Sequence, residues 1–121
     1  MLISNPTINS QQILLLPTCK GIEVININEI IRIEAISNYS KLFFSNERPL
    51  VVAKVLRWFE EYLKPLSHGE GSFLRIHRTH LVNKKFIQFY QSGKIKLLTG
   101  EYIDVAKRKK SDFLKYWIPA A

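Results

Sequence analysis

From Phe73 to Asn83 the chain reads Phe-Leu-Arg-Ile-His-Arg-Thr-His-Leu-Val-Asn, which sets two guanidiniums, two imidazoles, a hydroxyl and a carboxamide in an apolar background. These groups suit hydrogen bonding to phosphates and base edges. An arginine fork spans two acceptors at once, as at O6 and N7 of guanine. His77 and His80 would hold a metal only with further ligands, and no Cys or His spacing in the chain supplies them, so no metal or cofactor is expected. Nor is there a nucleophile elbow, a phosphate loop or a glycine-framed carboxylate pair, and an enzyme is not expected.

The surrounding pattern says how these groups are held. Between Phe73 and Arg78, Leu74 and Ile76 point one way along an extended strand while Arg75 and His77 point the other. Arg78 falls where the apolar face should continue. The strand is therefore expected to end near His77, leaving Arg78, Thr79 and His80 on an exposed corner before Leu81 and Val82 return to the core. Arg75 then packs its stem along the sheet or pairs with a carboxylate, and Arg78 faces a partner.

Charge indicates what that partner is. The net charge is +8 and the pI about 9.8. Met1 to Leu74 carries seven basic and seven acidic residues, whereas Arg75 to Lys110 carries ten basic and two acidic, so the whole excess lies in one segment. A polyanion is favoured, either nucleic acid or an acidic surface.

The remaining chain supplies a scaffold for one domain of 121 residues. Residues 1–11 are polar and read as a flexible leader, with 12–121 as the single domain. Ile13 to Leu16, turn chemistry at Thr18 to Gly21, and Ile22, Val24 and Asn26 alternating with Glu23 and Ile25 predict a β-hairpin. In the strand Ile30 to Ile36, Ile31, Ile33 and Ala35 alternate with Arg32 and Glu34, and Glu34 can pair with a neighbouring base. Ser37 to Ser40 reads as a polar loop before the strand Lys41 to Ser45, and Leu50 to Val52 as a further strand.

From Val55 the period changes. Val55, Leu56, Phe59, Tyr62 and Leu63 form the apolar face of a helix that Pro65 stops, with Arg57–Glu61 and Glu60–Lys64 as pairs four residues apart. Ser67 to Ser72 is a glycine-containing loop. Phe86 to Tyr90, Ile95 to Leu98 and Tyr102 to Val105, separated by Ser92-Gly93 and Thr99-Gly100, predict an antiparallel meander. After Lys107 to Lys110, Phe113, Leu114, Trp117 and Ile118 share one face of a second helix, ended by Pro119. The fold class is mainly β, with antiparallel strands in small sheets and two short amphipathic helices.

The segment Arg75, His77, Arg78, Thr79, Leu81, Val82, Asn83 resembles the Arg-x-His-Arg-Ser-x-Leu-Val-Asn signature of the LytTR family, with Thr79 keeping the hydroxyl of the usual serine. The Ile30 to Glu34 strand, Asn38-Tyr39 and the Leu56 to Leu63 helix fall where that family has them, so the resemblance spans Ile13 to Leu114. It implies a mostly β, duplex-DNA-binding output domain of a bacterial response regulator in a two-component system, acting in transcription regulation.

The resemblance also implies that contacts come from loops. These are Asn38, Tyr39, Ser40 and Lys41 between early strands, His77, Arg78 and Thr79 at the signature, and Lys107 and Arg108 before the last helix. Arg78 and Lys107 are the candidate base readers. His77 suits a phosphate or backbone bond, Lys84 extends the basic face, and Asn83 fits a cap or turn as well as a base contact. Val105-Ala106-Lys107-Arg108 departs from the family's common Ser-Arg at the third loop. Asn38 and Ser40 equally suit an ordinary hairpin loop, and Tyr39 a core ring with its hydroxyl outward.

Two other partner classes compete with double-stranded DNA. Phe86, Phe89 and Tyr90 among lysines would suit single-stranded nucleic acid or RNA if the rings were exposed rather than core. The basic face would also suit an acidic protein. A second copy of the chain on a repeated half-site is a further expected partner of a DNA binder. A lone Cys19, no apolar run near the roughly 20 residues of a membrane span, and a start unlike a signal peptide point to a cytoplasmic protein with no membrane partner.

Overall fold

The computed structural model describes residues 13–67 and 73–118. Its centre is a five-stranded antiparallel sheet in the order β5-β4-β3-β7-β6, built from β3 (Ile30–Ile36), β4 (Tyr39–Phe44), β5 (Leu50–Val52), β6 (Phe73–His77) and β7 (His80–Asn83). One face is covered by the hairpin β1 (Ile13–Thr18) and β2 (Gly21–Asn26) with helix α1 (Leu56–Ser67). The other is covered by the meander β8 (Ile87–Gln91), β9 (Lys94–Leu97) and β10 (Tyr102–Asp104) with α2 (Lys110–Trp117). Two apolar cores result, separated by the sheet.

The first core gathers Leu14, Leu16, Ile25, Ile30, Ile33, Leu42, Phe59, Leu63 and Leu81. The second gathers Ile31, Ile76, Val82, Ile95, Leu97, Ile103 and Phe113. Adjacent residues of β7 thus serve opposite cores, Leu81 the first and Val82 the second, as strand alternation requires. Phe73 packs on the first core, whereas Leu74 and Ile76 share the second, so the alternation in β6 reads as expected.

In β3 the expected faces differ. A bulge between Ile30 and Arg32 breaks the pairing with β4, so Ile31 enters the second core while Ile33 enters the first. In the hairpin, Leu14 pairs with Ile25 and Leu15 with Val24, which places Ile25 inside and leaves Ile22 and Val24 exposed. The two-residue turn Cys19-Lys20 sets that register, and Cys19 is exposed. Helix α1 runs past Pro65 to Ser67, since a proline near a helix end removes only one donor from the ladder. Ile118 lies beyond α2 and is exposed, while Phe113 is buried and Leu114 and Trp117 pack beside it. The expected leader, most of the loop before β6 and Pro119 lie outside the described residues.

Candidate nucleic-acid interface

Register places the candidate loops. β3 runs antiparallel to both β4 and β7, with Ile36 opposite Tyr39 and Glu34 opposite His80. The β3–β4 turn and the β6–β7 turn therefore leave the same end of the sheet, and the amide of Ala35 donates to the carbonyl of Thr79 at 2.9 Å between them. The third candidate, Lys107 and Arg108, lies in a 3-10 turn, Lys107–Lys109, leading into α2. It is fixed to that end by Ala106 N–H donating to Ile76 O at 2.7 Å and Val105 N–H donating to Gly93 O at 2.8 Å. His77, Arg78, Ala106, Arg108 and Lys109 consequently line one surface hollow.

Within the β6–β7 turn the carbonyls of His77, Arg78 and Thr79 and the amide of Thr79 are all held. Arg75 Nε donates to His77 O at 2.9 Å and Nη2 to Arg78 O at 2.7 Å, while Nη1 reaches Glu60 Oε1 of α1 at 2.6 Å. Glu60 thus pairs with Arg75, while Arg57 meets Glu61 as expected, at 3.5 Å. The Thr79 amide donates to His77 Nδ1 at 3.2 Å, and the Thr79 hydroxyl lies 2.9 Å from the same nitrogen. Accepting that amide proton leaves His77 Nδ1 bare, so a neutral ring carries its hydrogen on Nε2.

Among the described residues the Arg78 side chain makes no hydrogen bond or ion pair, and it is exposed. The same holds for Lys107 and Arg108, both exposed. Nearby acids are occupied: Glu34 and Glu101 hold Arg32 at 3.0 Å each, and Asp104 holds Lys94 at 3.0 Å. Arg32 is buried and stacks over the Phe43 ring at 3.8 Å. Burial opposes its charge, but hydrogen bonds to Glu101 and Glu34 outweigh burial and hold its proton more firmly than usual. The Arg32 hydrogen bond in turn keeps Glu101 below the ordinary carboxylate range. Arg32 offsets only one of its two carboxylates, but Arg78, Lys107, Arg108, Lys109 and Lys110 outnumber the charge left over, so positive charge dominates this end.

The structure does not bring all the expected residues to this end. Ser37-Asn38 alone forms the β3–β4 turn, and Tyr39, Ser40 and Lys41 already belong to β4. Asn38 is exposed and Tyr39 half-exposed, and Lys41 leans its ammonium toward the Phe43 ring, 5.2 Å from its centroid. Ser40 is 0% exposed and donates to Lys54 O at 2.6 Å, so its hydroxyl faces inward. Asn83 is 1% exposed; its Nδ2 donates to Ile30 O at 2.9 Å and its Oδ1 caps Lys85 N–H at 3.2 Å. Here it is a cap. Lys84 follows it in a 3-10 turn, separated from the corner by the length of β7, about 13 Å at strand rise.

One contributor escaped the sequence reading. The β8–β9 turn lines a second hollow through Ser92, Gly93 and Lys94, together with His77, Lys107 and Lys110. Its signal was Lys94 inside the basic segment, but only the bond from Val105 to Gly93 shows where the turn lands. As for the rings, Phe86 and Tyr90 pack on the second core and Phe89 is exposed.

Comparison with known proteins follows the same lines. The model of the LytTr DNA-binding domain matches residues 20–118. Among solved structures, the chain is similar to the LytTr DNA-binding domain of a Bacillus cereus protein described as a methyl-accepting/DNA response regulator. The TM-score is 0.64 at 22% identity, covering 87% of this chain and 95% of that one, a likeness of fold. No curated protein matches. No helix among the described residues is long and apolar enough to cross a membrane.

Proposed function

The chain belongs to the LytTR DNA-binding domain family, and from that premise we propose that it recognises specific duplex DNA through the loop end of its sheet. The family is one of DNA-binding output domains of transcriptional regulators, not of enzymes. One observation carries the finer reading: three separate segments converge on one end, and Arg78, Lys107 and Arg108 are exposed there without a hydrogen-bond or ion-pair partner among the described residues.

Arg78 is the base reader on this account, since its fork matches two acceptors of guanine. His77 Nε2, Thr79, Arg108 and Asn38 set register against phosphates, and Lys107 reaches either a base or a phosphate. Asn83, Ser40 and Lys84 drop out for the reasons of burial and position already given. The protein acts as a transcriptional regulator in a two-component system, with a second copy expected on a repeated half-site.

Selection from random duplex DNA tests this. A single enriched motif is expected, with affinity falling steeply as salt rises, by a slope of about −0.9 per neutralised phosphate. Enrichment of no motif, or tighter binding to single strands of any sequence, would contradict it.

A further inference from the structure

We propose that Arg75, held by Glu60 of α1, is a positioning residue that determines the sequence preference of the Arg78 turn without touching DNA. The inference rests on the reading that Arg78 reads a base. Its own ground is the arrangement of one guanidinium: Nη1 on Glu60, Nε on His77 O and Nη2 on Arg78 O, at 2.6, 2.9 and 2.7 Å.

Those three bonds do something a simple ion pair would not. Two of them end on consecutive carbonyls of the turn, one of them the carbonyl of Arg78 itself. The planar fork fixes the orientation of both peptide units, and the carboxylate fixes the fork. With Thr79 held on its other side by His77 and Ala35, the turn backbone is clamped from both flanks. The Arg78 side chain is the part left to reach outward. A base contact made by one flexible side chain discriminates only if its Cα is placed, and Arg75 supplies that placement.

Helix α1 is thereby linked to recognition. Glu60 lies one residue from Phe59, which is 0% exposed in the first core, so the carboxylate is anchored by helix packing. Lysine at position 75 would keep the charge and the attraction to Glu60, but one ammonium cannot hold two carbonyls and a carboxylate in one plane.

The test measures binding of wild type, Arg75→Lys, Glu60→Gln, Arg78→Ala and the Arg75→Lys/Arg78→Ala double variant to the selected operator and its singly substituted forms, with salt slopes and melting temperatures. Arg75→Lys is expected to cut discrimination at the position read by Arg78 about tenfold, leaving the salt slope and binding to unrelated DNA unchanged. Glu60→Gln should weaken the same position less, which keeps the test open if Arg75→Lys folds poorly. In the Arg78→Ala background Arg75→Lys should add nothing, since residues acting through one another are not additive.

Loss of melting temperature with preference intact in both single variants would make Arg75 merely structural and overturn the proposal. A further loss of preference in the double variant would mean that Arg75 reads DNA directly and would overturn it too. If instead Arg78→Ala itself leaves preference unchanged, the base-reading assignment fails, and the positioning role falls with it, a pattern distinct from the other two.

Discussion

The two ends of β7 carry residues of the same signature and use them in opposite ways. At one end Arg78 is exposed and its backbone is clamped; at the other Asn83 is buried and its side chain does the clamping. Asn83 has a twin in Asn26. Each closes a strand, caps a 3-10 turn with its side chain and leads into a strand beginning with isoleucine, at φ/ψ of −78/116 and −80/113. Asn26 lies outside the signature, so the shared motif is a way to turn this chain between strands. A fixed string of polar residues therefore need not be a string of ligand contacts.

The largest effect should come from the buried end. Asn83→Ala strips a partner from Ile30 O and Lys85 N–H and should cost about 2 to 4 kcal/mol of stability. Denaturant unfolding should show it, with the base preference of the remaining folded protein intact. Arg78→Ala should do the reverse, weakening operator binding by roughly 1 to 3 kcal/mol with the melting temperature nearly unchanged. If both variants lost stability alike, the contrast between the ends would collapse.

Lys107→Arg sharpens the comparison within the exposed end. Where lysine meets a base, the arginine fork should raise preference at one operator position by up to about 1 kcal/mol. A uniform gain across a panel of substituted operators would instead assign Lys107 to phosphate. Lys84→Ala should leave the salt slope unaltered, because Lys84 sits at the wrong end of β7.

The smallest effect concerns pH. His80 Nδ1 is buried with no hydrogen-bond partner among the described residues, and burial pushes the ring below its ordinary value of 6.5. The unfolded chain thus takes up the proton more readily. Stability from this group is full above about pH 6.5 and declines as pH falls toward the lowered folded value. Melting curves of wild type against His80→Phe between about pH 7.5 and pH 5.5 should show a shallower decline in the variant.

What was legible in the sequence was what depends on local pattern. The hairpin, the β6 alternation, the corner at Arg78, the meander and both helices all follow from periodicity and turn residues. What stayed hidden depends on partners far along the chain. The bulge at Ile31 comes from pairing with β4, and the exposed face of Ile22 and Val24 from a register set across a two-residue turn. Ser40 looked like a loop hydroxyl because its acceptor, Lys54 O, lies fourteen residues away. Asn83 looked ambiguous because Ile30 O lies fifty-three residues away. The pairing of Arg75 with a carboxylate was foreseeable in kind, but Glu60 as that carboxylate was not.

A sheet walled on both faces also sets a clock for solvent access. Ile33 on β3 and Val82 on β7 are 0% exposed and belong to different cores, so the amides between these strands are shielded from both sides. Neither covering layer can lift alone and bare them fully. Deuterium should enter the β3–β7 ladder only when the whole domain opens, and the slowest amides there should report the global unfolding free energy directly.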